Sequence, residues 1–227
     1  MYQIHHNCLL CDSSALIELP KFSRDYLVQC SKCSFVFCKR IPTEEELVNY
    51  YKDYPSDHLL SPITVKRYHE LLDTFEHYKK TNKILDIGCG DGYFLREAKN
   101  RGWQVYETEF SDHAYKKRKK KGITMHKGIL NPENYSFRDF DVITSFEVIE
   151  HINNPKEEVE NINKLLRTGG LFYFTTPNFN SISRLISKLP WNVILYPEHL
   201  SYYTAGSMNR FLTKKGFEKM YNKNVYV

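Results

Sequence analysis

The stretch that most constrains this chain is Lys83-Ile84-Leu85-Asp86-Ile87-Gly88-Cys89-Gly90-Asp91-Gly92. A short apolar run followed by three glycines at alternate positions predicts a buried strand, a sharp turn and a helix start. Glycines let the backbone turn tightly and approach a ligand without a Cβ in the way. At the carboxyl edge of a sheet such a loop suits a nucleotide, although dinucleotide-binding proteins use a similar device. Here the spacing departs from G-x-G-x-x-G, and Asp86 stands two residues before the first glycine. The next apolar run, Val105-Tyr106-Glu107-Thr108-Glu109, also closes on an acid. A carboxylate at that strand end can accept hydrogen bonds from both hydroxyls of a ribose. Glu109 is the expected ribose ligand, ahead of Glu107.

From residue 83 onward, apolar runs alternate with amphipathic stretches. Strands are expected at 83–87, 104–109, 123–126, 142–146 and 171–176, and helices near 92–101, 111–121 and 155–167. In the last helix Val159, Ile162, Leu165 and Leu166 share a face, and Thr168-Gly169-Gly170 is expected to end it. Alternation of this kind predicts an α/β fold, a mostly parallel sheet with helices on both faces. Ahead of it, Thr43-Glu44-Glu45-Glu46 reads as a capping box opening a short helix to Tyr51. A second helix should begin at Ser61-Pro62, with Val65, Tyr68, Leu72 and Phe75 on one side. It reads as a lead-in covering a nucleotide pocket. The expected division is 1–40, 41–80 (helical lead-in) and 81–227 (α/β core).

Four of the six cysteines, Cys8, Cys11, Cys30 and Cys33, form two C-x2-C knuckles. Two knuckles supply a tetrahedral four-thiolate zinc site, whose closed shell gives it a folding role. Disulfides compete as an explanation, but a cytosolic setting disfavours them. Cys38 reads as a buried or free thiol, with a surrogate-ligand role as the alternative, and His5 and His6 as surface residues.

Four motifs together resemble the core of class I S-adenosylmethionine-dependent methyltransferases over residues 83–177. They are Leu85 to Gly92, Phe140-Asp141-Val142-Ile143, Glu147-Val148-Ile149-Glu150-His151 and Leu166-Arg167-Thr168-Gly169-Gly170. The cysteine knuckles, the Thr43–Tyr51 helix and Glu198-His199-Leu200-Ser201-Tyr202-Tyr203 resemble a bacterial subset of that family with an N-terminal zinc ribbon. The resemblance implies a Rossmann-like sheet and S-adenosylmethionine as cofactor. Asp86, Gly88 and Gly90 would border its methionine part and Glu109 its ribose. Cys89, Gly92, Phe110, Phe146 and Glu147 complete the expected cofactor site. Many relatives place an Asp near the Lys127-Gly128-Ile129-Leu130 turn to bind adenine; Ile129 stands there, which leaves adenine recognition to backbone groups or Asn131.

Methyl transfer requires an aligned acceptor and, for a hydroxyl, removal of its proton. Glu147, Glu150 and His151 would converge if they lie on one helical turn, and His199 would join from a later loop. Two carboxylates and two imidazoles can bind a divalent metal that lowers the pKa of an acceptor diol. The E-x-x-E-H run resembles the metal motif of ubiquinone-pathway O-methyltransferases and of small-RNA 2′-O-methyltransferases. His151 acting as base, or simply packing, is the alternative. Tyr173, Thr176, Asn178, Trp191, Tyr202 and Tyr203 are candidates for the acceptor pocket, or for core.

The expected acceptor is a small molecule, a saccharide or a lipid-linked glycan. RNA is the second reading, prompted by the basic run Lys116 to Lys121, itself readable as a solvated helix face. A binding protein that keeps the fold without chemistry is the third. No run approaches 18 apolar residues, so a soluble cytoplasmic protein without membrane insertion is expected. Glu218 to Val227 reads as one more strand, and the family's final antiparallel strand is absent from the sequence. An open sheet edge would then invite a homodimer.

Overall fold

The structure, a computed structural model, describes residues 2–51, 60–90, 92–109, 124–181, 184 and 193–219. In chain order the elements are β1 (Leu16–Glu18), β2 (Leu27–Cys30), β3 (Val36–Cys38), α1 (Glu44–Tyr51), α2 (Pro62–Phe75) and β4 (Lys83–Ile87). There follow α3 (Tyr93–Asn100), β5 (Gln104–Glu109), β6 (Thr124–Lys127), β7 (Phe140–Phe146), α4 (Pro155–Leu165), β8 (Leu166–Thr175), β9 (Ser201–Tyr202) and α5 (Ala205–Lys214). The expected helix at 111–121, its basic run and residues 220–227 lie outside the described residues, while Glu218 and Lys219 are not in a strand.

Helix starts follow their local chemistry. Thr43 and Glu46 cap α1 reciprocally: Glu46 N–H donates to Thr43 Oγ1 at 3.1 Å, and Thr43 N–H to Glu46 Oε2 at 2.9 Å. Ser61 Oγ accepts from Thr64 N–H at the head of α2, with Pro62 at its first position. Thr204 and Ser207 repeat the reciprocal cap on α5.

The chain divides into two compact units that interleave along the sequence. The first comprises the described residues of Asp53–Val148 and Lys164–Thr175. Its sheet has the order β6-β5-β4-β7-β8, every neighbouring pair parallel. This is the doubly wound α/β architecture expected. The central strands β4 and β7 are buried almost throughout, as strands covered on both faces must be. Helices α2 and α3 bring Leu72, Phe75, Phe94, Leu95 and Ala98 into one core with Ile84, Trp103 and Val142.

One boundary differs from expectation. Thr168-Gly169-Gly170 does not cap a helix running to residue 167; α4 stops at Leu165, and these residues lie inside β8. The register slips between Phe140 and Val142, so Leu166 pairs with Phe140 and Leu171 with Val142. The glycines serve that irregularity. Gly169 has φ +71°, and a Cβ on Gly170 would sit 3.0 Å from the Phe140 carbonyl oxygen.

The second unit comprises the described residues of Met1–Lys52, Ile149–Asn163 and Thr176–Val227. Its sheet has the order β1-β2-β3-β9, all antiparallel. The Cys8–Cys11 knuckle precedes β1, and the Cys30–Cys33 knuckle runs from the end of β2 into the turn towards β3. The fourth strand comes from far along the chain, with Val36 opposite Tyr202 and Phe37 opposite Ser201. Leu27, Val36, Cys38, Phe179, Leu200 and Tyr202 form the core beneath.

Candidate functional site

In the first unit, the loop after β4 carries Gly88, Gly90 and Gly92 at φ +66°, +52° and +67°, conformations that glycine alone adopts without strain. Gly88 is also crowded: a Cβ there would lie 2.6 Å from Val148 Cγ2. Among the described residues nothing lies within 4 Å of where a Cβ on Gly90 would stand. Asp86 is buried and accepts a hydrogen bond from Thr144 Oγ1 at 2.7 Å. Parallel pairing sets Ile87 opposite Thr108, and Gly88 N–H donates to Thr108 O at 3.0 Å. Glu109, the next residue, therefore closes β5 beside the glycine loop. Glu107 is fully buried, Glu109 nearly so at 9% exposure, which fits Glu109 better for a ligand at the sheet edge.

Cys89 differs from its neighbours: its side chain belongs to the apolar core, leaving only its backbone for a ligand. Phe146 ends β7 in an aromatic cluster, with ring centroids 5.0 Å from Phe94, 5.4 Å from Tyr68 and 5.8 Å from Tyr173. Burial raises the Tyr173 hydroxyl above its ordinary value. Phe110 and Asp91 lie outside the described residues.

Asp141 has a role that its motif did not disclose. Fully buried at the start of β7, its Oδ2 accepts the backbone N–H of Lys80, Thr81 and Asn82, each at 2.8 Å. Its Oδ1 accepts Arg167 Nε at 2.6 Å. Burial alone would raise its carboxyl, but Arg167 and the three amides outweigh it and hold the group below the usual carboxylate range.

In the second unit, Glu150, His151 and His199 come together: one ligating atom from each lies within 4.8 Å of the others. Glu150 is buried, and its Oε1 is 4.0 Å from His151 Nε2. His151 Nδ1 is 2.8 Å from Glu198 O, and His199 Nδ1 is 2.5 Å from Val193 O. A carbonyl only accepts, so each Nδ1 carries a proton and donates it. Tyr51 Oη, 3.4 Å from His151 Nδ1, and Tyr50 Oη, 2.6 Å from Glu198 Oε2, tie α1 to the same place.

Glu147 does not share a helical turn with Glu150 and His151. It sits at the end of β7 in the other unit with φ +53°, its N–H on Thr175, and the turn that carries the other two begins at Ile149. Tyr202 and Tyr203 are core residues. Their hydroxyls donate to the carbonyls of His199 (3.0 Å) and Ile149 (3.5 Å). Asn178 Oδ1 accepts from Asn180 N–H, and Trp191 lies outside the described residues. Tyr51 and Thr144 were not foreseen. A Thr following the apolar pair Val142-Ile143 was the available signal for Thr144; nothing local marks Tyr51.

The four knuckle cysteines also converge, their sulfurs within 4.8 Å of one another. Cys8 and Cys33 are 3.5 Å apart, Cys11 and Cys30 3.6 Å, and none forms a disulfide. Tetrahedral ligands about 2.3 Å from zinc lie about 3.8 Å from each other, so the arrangement fits that ion. Burial raises the thiols of Cys8 and Cys33; at Cys30, burial is outweighed by backbone N–H groups of Cys33 and Lys32, which bring it down to about 7. Cys38 stands apart, its thiol donating to Asp25 O at 3.1 Å.

Residues 61–221 match a family described as the methyltransferase domain. The chain belongs to that family. A curated relative, the ubiquinone biosynthesis O-methyltransferase of Thiobacillus denitrificans, is 29% identical over 120 residues, 50% of this chain and 52% of the relative. The chain thus spans about half the length of the curated relatives it matches. A S-adenosylmethionine-dependent methyltransferase structure from Archaeoglobus fulgidus has a TM-score of 0.56 at 20% identity, covering 67% of this chain and 68% of that one. Phosphoethanolamine N-methyltransferase 2 of Haemonchus contortus, in complex with S-adenosyl-L-methionine, has a TM-score of 0.54 at 21% identity. It covers 77% of this chain and 42% of that one. At such identities the two structures share the fold. No helix among the described residues is long and apolar enough to cross a membrane.

Proposed function

We propose that this chain is a S-adenosylmethionine-dependent O-methyltransferase of a small molecule, a saccharide or lipid-linked glycan included. The observation that carries the reading is the loop from Asp86 to Gly92, with three left-handed glycines beside Glu109 at the carboxyl edge of a parallel sheet. Gly88, packed against Val148, and the more open Gly90 border the methionine part, Asp86 is held in place by Thr144, and Glu109 accepts the ribose hydroxyls. The cofactor, when bound, supplies an electrophilic methyl group on a sulfonium. His151 or His199, each with Nδ1 engaged by a carbonyl, takes the acceptor's proton on Nε2. The name of the curated relatives favours oxygen as the acceptor.

One arrangement favours a metal-assisted variant of this reading. Glu150, His151 and His199 offer an oxygen and two nitrogens within 4.8 Å, and both imidazoles are oriented through Nδ1 by carbonyls, as metal-ligating histidines commonly are. A divalent cation there would be held by these three side chains and would lower the acceptor's pKa. The four cysteines hold a structural zinc.

Calorimetry with S-adenosylmethionine, then labelled-methyl transfer to a panel of phenols, saccharides and RNA, tests the proposal. Binding at micromolar cofactor and label in a small hydroxylated acceptor are expected. No binding at millimolar cofactor would sink the enzyme reading, and label in RNA alone would sink the small-molecule reading. Chelation that leaves turnover intact would dismiss the metal variant and keep His151 as base.

A further inference from the structure

The cysteine ribbon and the Glu150–His151–His199 cluster share backbone. Leu200, next to His199, donates its N–H to the Glu150 carbonyl at 2.8 Å. Its own carbonyl accepts the N–H of Cys38, the last residue of β3, also at 2.8 Å. One peptide segment thus spans from the ribbon sheet to the turn that carries Glu150 and His151. The His199 carbonyl is fixed by the Tyr202 hydroxyl of β9 at 3.0 Å, and the Cys38 sulfur lies 3.5 Å from it. On the ribbon side, Cys38 pairs with Leu27 of β2, and the turn from β2 to β3 carries the Cys30–Cys33 knuckle. The register that presents Cys38 to Leu200 is therefore the register that the second knuckle closes.

We propose that the ribbon is the positioning element for the Glu150–His151–His199 cluster, acting through the backbone bridge at Leu200. The four-thiolate site would then have a use beyond the stability of its own sheet. With the knuckles closed, β3 holds Leu200 and His199 where His151 and Glu150 meet them. With the knuckles open, β3 loses its register, and the cluster loses one imidazole. The proposal rests on the cluster taking part in the proposed chemistry, but its backbone part can be read without turnover.

The test compares the wild-type chain with Cys11→Ser, which removes one ribbon thiolate, and with Tyr202→Phe, which removes only the hydroxyl on His199 O. Bound zinc, amide exchange at Leu200 and Cys38, Mn2+ binding followed by electron paramagnetic resonance, kcat, and calorimetric affinity for S-adenosylmethionine are measured on each. Cys11→Ser should lose zinc, speed exchange of both amides at least about 10-fold, and weaken Mn2+ by roughly 10- to 100-fold, the usual effect of losing an outer-shell support. It should lower kcat while leaving cofactor affinity unchanged. Tyr202→Phe should keep zinc and cofactor affinity and lower Mn2+ affinity and kcat by several fold. Zinc lost with Leu200 still protected and Mn2+ affinity unchanged would overturn the proposal. So would a Tyr202→Phe chain with wild-type values throughout, a result that holds even if Cys11→Ser does not fold. Failure of the enzyme reading is separate: it shows in the wild-type chain as no cofactor binding.

Discussion

Replacing Asp141 should destabilise this protein more than any single change at its surface. The carboxylate is fully buried and accepts three backbone amides at 2.8 Å and Arg167 Nε at 2.6 Å. Asp141→Ala leaves all four donors facing a small cavity. A buried donor without an acceptor costs about 1–3 kcal/mol, and water entering the cavity can serve one or two of the amides. Breaking one side of a buried ion pair costs about 3–5 kcal/mol, and among the described residues Arg167 keeps its bonds to the carbonyls of Tyr78 and Thr168. Taken together these give about 5 kcal/mol, a large part of the roughly 5–15 kcal/mol that a folded domain has in total. Asp141→Asn keeps one oxygen acceptor but loses the charge, so about 2–4 kcal/mol is expected. Urea unfolding followed by the fluorescence of Trp103, which is buried in the same unit, reads both variants. The pH dependence supplies a second signature. A carboxyl held below its unfolded value of about 3.9 contributes fully above that pH and loses its contribution as pH falls through the lower folded value. Wild type should therefore lose stability below about pH 4 more steeply than Asp141→Asn. An alanine variant within about 1 kcal/mol of wild type at pH 7 would refute the reasoning, because it would mean that the four donors find equal partners elsewhere.

Three further outcomes are expected. Gly88→Ala should lower calorimetric affinity for S-adenosylmethionine at least about 10-fold, since its Cβ would meet Val148 at 2.6 Å as well as a left-handed backbone. Adding Val148→Ala should restore part of that loss and no more; full restoration would show that backbone strain at +66° is immaterial. Glu109→Gln should weaken cofactor affinity while leaving thermal stability within about 1 kcal/mol, and unchanged affinity would remove Glu109 from the ribose site. Glu158, in α4, is pushed up to about 8 by burial and then by Glu157. A raised acid favours the native state below its unfolded value and loses that advantage as pH rises towards the folded one. Glu158→Gln should thus stabilise by about 1 kcal/mol or more at pH 8 and by nothing at pH 4, as thermal unfolding at the two pH values would show.

How far the sequence disclosed this arrangement depends on the range over which each signal acts. The strand and loop from Lys83 to Gly92 and the caps at Thr43 and Ser61 were legible because their causes lie within a few residues. Leu166 to Gly170 was misread for the complementary reason. Two glycines after a helix ordinarily end it, but here Arg167 is drawn to Asp141, 26 residues back, and the glycines serve the strand that results. Glu147, Glu150 and His151 looked like one face of a helix, yet φ +53° at Glu147 turns the chain before any helical period begins. His199 was expected to join Glu150 and His151 and does. Two residues of β9 carry too little pattern to announce a strand. Tyr51, at the end of a short polar-faced helix, carries no mark of the imidazole it meets.

The pairing of β9 with β3 also bears on the order in which the molecule is made. Cys38 and His199 lie 161 positions apart in sequence, so the ribbon sheet stays one strand short until all five strands of the parallel sheet have been synthesised. The two knuckles lie close in sequence and can meet early, but the strand beside them must wait. Excising the cysteine-bearing segment would remove three-quarters of a sheet and leave β9 without its partner. The sheet begun by β1 to β3 is thus completed only after the five strands that follow them in the chain.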